Sequence, residues 1–304
     1  MNQSLWKRSS VNKELELVCK IGYMAEEALL EEVYTTPKPG LVDLWSNGAH
    51  TDMDVHIFEK SALALRPYFT HMALRGYQCS AASGQLFSEI RKIGITAERI
   101  MYQVTGGVNT HKGAIFTLGI LCAAAGWCSC INKEIRIEEI CRLQLEIVGE
   151  TLKKEMEQMY VKRPKSNGEE NFCRYGTGGI RLEASKGYPL LFQVALPELE
   201  KGIAEKREWN LIKLQTLMVL MKQTEDSNII FRHNQQVLAC VQQEAADFVK
   251  RGGAYQEGAI EILVKMDRDF IRRNISAGGC ADLLAAAIFL WKLKQIFSVH
   301  SPTK

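Results

Sequence analysis

The chain has 304 residues, of which 46% are hydrophobic and 24% charged, with a formal net charge of +3. That length suits one large domain or two small ones, and the composition is that of a globular protein able to bury a substantial core. The charge is too small to argue for nucleic acid, and the polar opening MNQSLWKRSSVNKELELVCK lacks the apolar run of a secretion signal.

In chain order, Leu15, Val18, Ile21, Ala25, Ala28, Leu29 and Val33 recur at the spacing of one buried helix face. Asp54 to Leu74 is the next helix, with Pro67 as a kink or boundary. Leu86, Ile90 and Ile93 predict a short third helix stopped at Gly94, and Thr96 then caps a fourth. Lys112 to Trp127 is mostly apolar and central; Ile135 to Met159 is longer and more charged, hence peripheral. Residues 160–179 are polar and glycine-rich and are the candidate for a mobile lid. Helices resume at about 195–222, 234–250, 256–272 and 280–297. The expected fold is mainly α: a single-domain multi-helix bundle spanning 1–304, with its core at about 20–292 and flexible ends, in which glycine-rich polar loops converge on an active-site cleft.

The nine cysteines form no C-x-x-C pair, Cys128-Ser-Cys130 being the nearest approach, so neither a zinc site nor a disulfide framework is expected. The run Ala281 to Trp291 contains Asp282 and is too short to cross a bilayer. No membrane or nucleic-acid partner is expected, and the predicted location is cytoplasmic.

Five polar stretches carry the chemistry. TGGVNTHKGAIF, from Thr105, resembles a phosphate loop but lacks the spacing of one. Gly106 and Gly107 allow close backbone approach, Thr110 caps the next helix, and Lys112 adds a positive charge beside its free N–H groups. A capped helix with an ordinary glycine turn explains the same residues equally well. TTPKPGLVDLWSNGAHTDMD, from Thr35, is a proline-stiffened loop presenting Lys38 and Asp43; Asp52 or Asp54 fits a plain helix cap. YGTGGIRLEASKGYP, from Tyr175, offers Arg181 for phosphate and Glu183 for acid–base work. EDSNIIFRH, from Glu225, puts the hard ligands Asp226 and Asn228 two apart, followed by Arg232, and a plain helix cap explains Asp226 or Asn228 equally well. SAGGCADLLAAAIFLW, from Ser276, places Gly278 and Gly279 before a helix with Asp282 in its first turn, where a carboxylate is favoured in any case. Together these loops suit a polyphosphate substrate with a cation.

In this order the five runs resemble the triphosphoribosyl-dephospho-CoA synthases, over roughly residues 20–292. The resemblance implies a mainly α transferase that joins ATP to 3′-dephospho-CoA and releases adenine, with the triphosphate retained on the transferred ribose. It implies Mg²⁺ as cofactor, ATP and dephospho-CoA as ligands, and a downstream acyl-carrier-protein transferase as user of the product. That product is a prosthetic-group precursor for citrate lyase, or for malonate decarboxylase in a related branch. A homodimer through an apolar helix face is a further expectation. Carried onto this chain, Asp43, Glu183 and His111 are the candidate catalytic groups. Lys38, Gly106, Gly107, Asn109, Thr110, Lys112, Arg181, Arg232, Gly278 and Gly279 are the candidate substrate and phosphate contacts, and Asp226, Asn228 and Asp282 the candidate metal ligands. His233, Leu182 and Cys280 depart from the family's usual residues. Two rivals share these residues: a Mg²⁺-dependent helical hydrolase of ADP-ribosyl or nucleotide substrates, and a nucleotide-binding module without turnover.

Overall fold

The most apolar stretch of the sequence becomes the innermost helix. In the computed structural model, which describes residues 2–79, 83–132, 135–159 and 178–298, Lys112–Asn132 forms α4, buried without a break from Thr117 to Ser129. A helix apolar on every side must be covered on every side. Here α1 (Asn2–Val33), α2 (Val55–Tyr77), α3 (Ser83–Val104) and α5 (Ile137–Met159) pack around it. Among the described residues this is the one helix long and apolar enough to cross a membrane, and 78% of its most apolar window is buried inside the protein.

The second half of the chain adds α6 (Gly179–Ser185), a π-helical turn at Leu191–Ala195, α7 (Leu196–Ala204) and α8 (Trp209–Met221). It continues with α9 (Ser227–Arg232), α10 (Gln235–Lys250), a 3₁₀ turn at Gly253–Tyr255, α11 (Ala259–Arg272) and α12 (Gly278–Ser298). The described residues contain these twelve α-helices and no strand, so the chain is mainly α. The apolar α12 contacts α1, α4 and α8, tying the two halves into one cluster of buried side chains from Val18 to Leu293.

Three local expectations are corrected. The helix expected to stop at Gly94 runs on to Val104, and Thr96 donates back to the Lys92 carbonyl at 3.0 Å instead of capping a new helix. Leu86, Phe87, Ile90, Ala97 and Met101 are all buried in the core, which outweighs the roughly 1 kcal/mol penalty of a mid-helix glycine. Pro67 is not a boundary: it lies inside α2, on its exposed side, and the helix runs on to Tyr77. The helix expected over 195–222 is broken by the polar turn Glu205 to Glu208, and Glu208 caps α8 by accepting from the N–H groups of Asn210 and Leu211. Asp54 caps α2 as its position suggested. The lid expected at 160–179 lies outside the described residues up to residue 177.

Helices α2 and α4 touch backbone to backbone. A Cβ on Gly76 would sit 1.9 Å from the Ala123 carbonyl oxygen, and one on Gly126 would sit 2.0 Å from that of Ala73. Gly76→Ala is therefore expected to destabilise the protein by about 3 kcal/mol, because neither backbone can yield without moving a helix. A denaturant midpoint equal to that of the parent would contradict this packing.

Candidate active site

A cleft of about 780 Å³ opens where the first turns of α4, α9 and α12 meet α6 and the end of α3. Four of the five polar stretches reach it. Asn109 and Lys112 come from the first, Arg181 and Glu183 from the third, Asp226 and Asn228 from the fourth, and Gly279 and Asp282 from the fifth.

The two aspartates are held by helix starts. Asp226 precedes α9 and accepts from Asn228 N–H at 2.9 Å through Oδ1, while its Oδ2 accepts from Cys280 N–H at 3.0 Å at the start of α12. One buried carboxylate thus joins two helix N-termini, each of which favours negative charge. Gly278 and Gly279 make the approach possible: a Cβ on Gly279 would lie 3.0 Å from Asp226 Oδ2, and one on Gly278 would lie 2.7 Å from Asn228 Nδ2. The glycine pair therefore receives the protein's own carboxylate; Gly279 lines the cleft and Gly278 does not.

Asp282 projects from α12 onto the start of α4, where it accepts from Ala114 N–H. A Cβ on Gly113 would fall 2.0 Å from Asp282 Oδ2, so only glycine leaves room for the carboxylate. Burial, then the nearby Glu32 and Asp226 carboxylates, pushes the Asp282 pKa well above the usual carboxylate range. Burial also raises Asp226, against the pull of its backbone N–H partners. Glu183 lies half-buried on the α6 wall. Its backbone carbonyl accepts Tyr188 N–H at 2.7 Å and its Oε2 accepts Leu190 N–H at 3.1 Å. Burial raises its pKa as well.

Cations share the cleft with these carboxylates. Lys112 pairs with Glu98 at 3.2 Å on the cleft wall, and Arg181 and Lys186 lie along α6 and just beyond it. Hard oxygen donors and cations brought into one cleft are the groups that a triphosphate carrying a divalent cation would need. Among the described residues no three His, Cys, Asp or Glu side chains cluster as a ready-made metal cage.

Other candidates lie elsewhere. Lys38 is 1% exposed; its Nζ donates to the Glu32 carboxylate and, at 2.8 Å, to the Glu32 carbonyl. Asp43 accepts from the N–H groups of Lys38, Trp45 and Ser46 at 2.7, 2.7 and 2.9 Å, which folds the proline loop onto itself. Arg232 donates to the Ala49 carbonyl at 3.0 Å and to Asn274 at 3.1 Å, and lies beside the His50 ring. None of the three lines the cleft. Gly106 and Gly107, both at positive φ, follow the end of α3, and the Gly107 N–H is taken by the Tyr102 carbonyl at 2.7 Å. Thr110 donates to Ser61 Oγ at 2.8 Å instead of capping α4; Asn109 accepts from Lys112 N–H at 3.2 Å in its place.

His111 is buried behind the cleft. Its Nδ1 lies 2.7 Å from Ser61 Oγ, its Nε2 has no hydrogen-bond partner, and the Phe58 ring meets it edge-on at 4.9 Å. Burial, then the Lys38 charge, pulls its pKa down to about 3, so the ring is neutral at ordinary pH.

Glu98, Tyr102, Phe116, Lys186 and Phe231 also line the cleft; the last three fall within the polar stretches without being among their candidate residues, and Glu98 and Tyr102 fall outside all five. Helical spacing was the available signal for two of them. Phe116 is four residues from Lys112, and Phe231 three from Asn228, so each pair shares a helix face.

Comparison with known proteins identifies the family. The chain is 40% identical over 271 residues to the 2-(5''-triphosphoribosyl)-3'-dephosphocoenzyme-A synthase of Escherichia fergusonii, covering 89% of each chain. It is 40% identical over 280 residues to the synthase of the same name from Pectobacterium atrosepticum, covering 91% of this chain and 87% of that one. A probable synthase of Vibrio cholerae is 36% identical over 301 residues, covering 96% and 94%. No solved structure matches. Residues 19–301 match the family described as ATP:dephospho-CoA triphosphoribosyl transferase, and the chain belongs to that family.

Proposed function

We propose that the cleft joins ATP to 3′-dephospho-CoA, giving 2′-(5″-triphosphoribosyl)-3′-dephospho-CoA and adenine. The observation that carries this reading is the convergence of Glu183, Asp226 and Asp282 with Lys112, Arg181 and Lys186 in one cleft. In the reaction, the acceptor's 2′-oxygen forms a bond to C1 of the ATP ribose as the bond from C1 to adenine breaks. The proton lost by the hydroxyl is balanced by the one adenine takes up. The transition state is oxocarbenium-like, as in glycoside cleavage, and negative charge near the sugar stabilises it.

Glu183 suits the proton acceptor, because burial raises its pKa toward the working range. Lys112, Arg181 and Lys186 suit the triphosphate. Asp226 and Asp282, with Asn228 beside them, suit a Mg²⁺ ion, which when bound would neutralise the triphosphate and fix its position. Asp43, Lys38 and His111 act as supports behind the site. We further infer that the product is passed to a transferase that loads an acyl carrier protein.

The test is a product assay with ATP, Mg²⁺ and dephospho-CoA. Adenine release that depends on dephospho-CoA, with an adduct retaining all three donor phosphates, is the expected result. Adenine without an adduct would make the cleft hydrolytic, and ADP or AMP without adenine would mean phosphoryl chemistry.

A further inference from the structure

Phe231 is a large apolar side chain left 48% exposed in a cleft wall whose preceding members are Glu225, Asp226, Ser227 and Asn228. The six-residue helix that carries it is already anchored by Ile229 and Ile230, each 1% exposed, and Phe231 belongs to neither hydrophobic cluster of the protein. Packing therefore gives no reason for an aromatic ring there. The cleft also contains Tyr102 and Phe116, but both are partly buried and pack against the core.

We propose that Phe231 is the stacking platform for a purine base, and so defines the base subsite of the cleft. It lies in the same cleft as Glu183, Asp226 and Asp282, on the helix that Asp226 caps. A nucleotide whose sugar lies against Glu183 would thus have an aromatic ring available to its base within the same cleft. Stacking suits the chemistry. An aromatic face binds a base without a fixed hydrogen-bond pattern, so it can hold adenine both as part of the nucleotide and as it departs. The proposal rests on the transfer reading above, in which both substrates carry an adenine; the ring serves the purine of one of them.

The experiment compares Phe231→Ala, Phe231→Trp and the parent protein in steady state, varying each substrate with the other saturating. Phe231→Ala is expected to lower kcat/KM for the substrate whose base is stacked by about ten- to a hundredfold, with Tm unchanged because the side chain belongs to no core cluster. Phe231→Trp is expected to restore most of the loss. A fall confined to ATP assigns the subsite to the donor, and one confined to dephospho-CoA assigns it to the acceptor. If Phe231→Ala changes neither, or if Phe231→Trp is as impaired as Phe231→Ala, the stacking role is overturned. Quenching of the Phe231→Trp emission by ATP or by dephospho-CoA alone gives a readout independent of turnover. If the parent protein makes no adduct while one of these ligands quenches the indole, the transfer reading fails and the base subsite stands; if neither ligand quenches it, the base subsite fails.

Discussion

Asp282→Asn is expected to lower turnover by about a thousandfold or more and to make the metal-free protein more stable at pH 8. The two effects have one cause. Asparagine keeps an acceptor for Ala114 N–H but loses the charge that burial, Glu32 and Asp226 all oppose. The folded pKa of Asp282 is raised, so its contribution to stability is fully present below the unfolded value of about 4 and is lost as pH rises through the folded value. The gap between variant and parent should therefore close toward pH 4 and widen above it, reaching a Tm gain of roughly 2 °C or more. Thermal melts in a chelator from pH 4 to 8, beside the product assay, check both halves. A fully active variant would remove Asp282 from the chemistry, and one no more stable at any pH would mean that its buried charge costs the fold nothing.

Lys38→Met is expected to cost about 3–5 kcal/mol of stability. The substitution fills the space but leaves Glu32 buried without its ammonium partner. Burial already pushes the Glu32 pKa up, so the orphaned carboxyl takes a proton more readily as pH falls, and the deficit should shrink toward pH 5. Adding Glu32→Gln to Lys38→Met should recover part of the loss. Denaturant titrations of the single and double variants at two pH values decide this. A small, pH-independent loss would mean that the pair contributes little.

Helices with strong apolar patterns were legible in the sequence. The α1 face from Val18 to Val33 and the apolar α4 need no tertiary information to be read. The continuity of α3 was not legible, because Gly94 and Thr96 read as punctuation until the burial of Ala97 and Met101 is known. The polar stretches were legible as chemistry but not as roles. Glycine pairs that read as anion cradles receive Asp226 at α12 and close off a helix at Gly107. Lys38 reads as a phosphate holder because a buried lysine is rare, and only the fold reveals Glu32 beside it. Phe231 escaped notice for the converse reason: an aromatic ring directly after two isoleucines reads as core.

Neither cleft aspartate is placed by its neighbours in sequence alone. Asp226 is closed onto an amide 54 residues further on, and Asp282 onto the start of a helix in the first half of the chain. Undocking the first turn of α12 would displace both carboxylates together. Residual turnover in a stressed sample therefore counts the molecules still fully assembled, and does not grade the damage within each one.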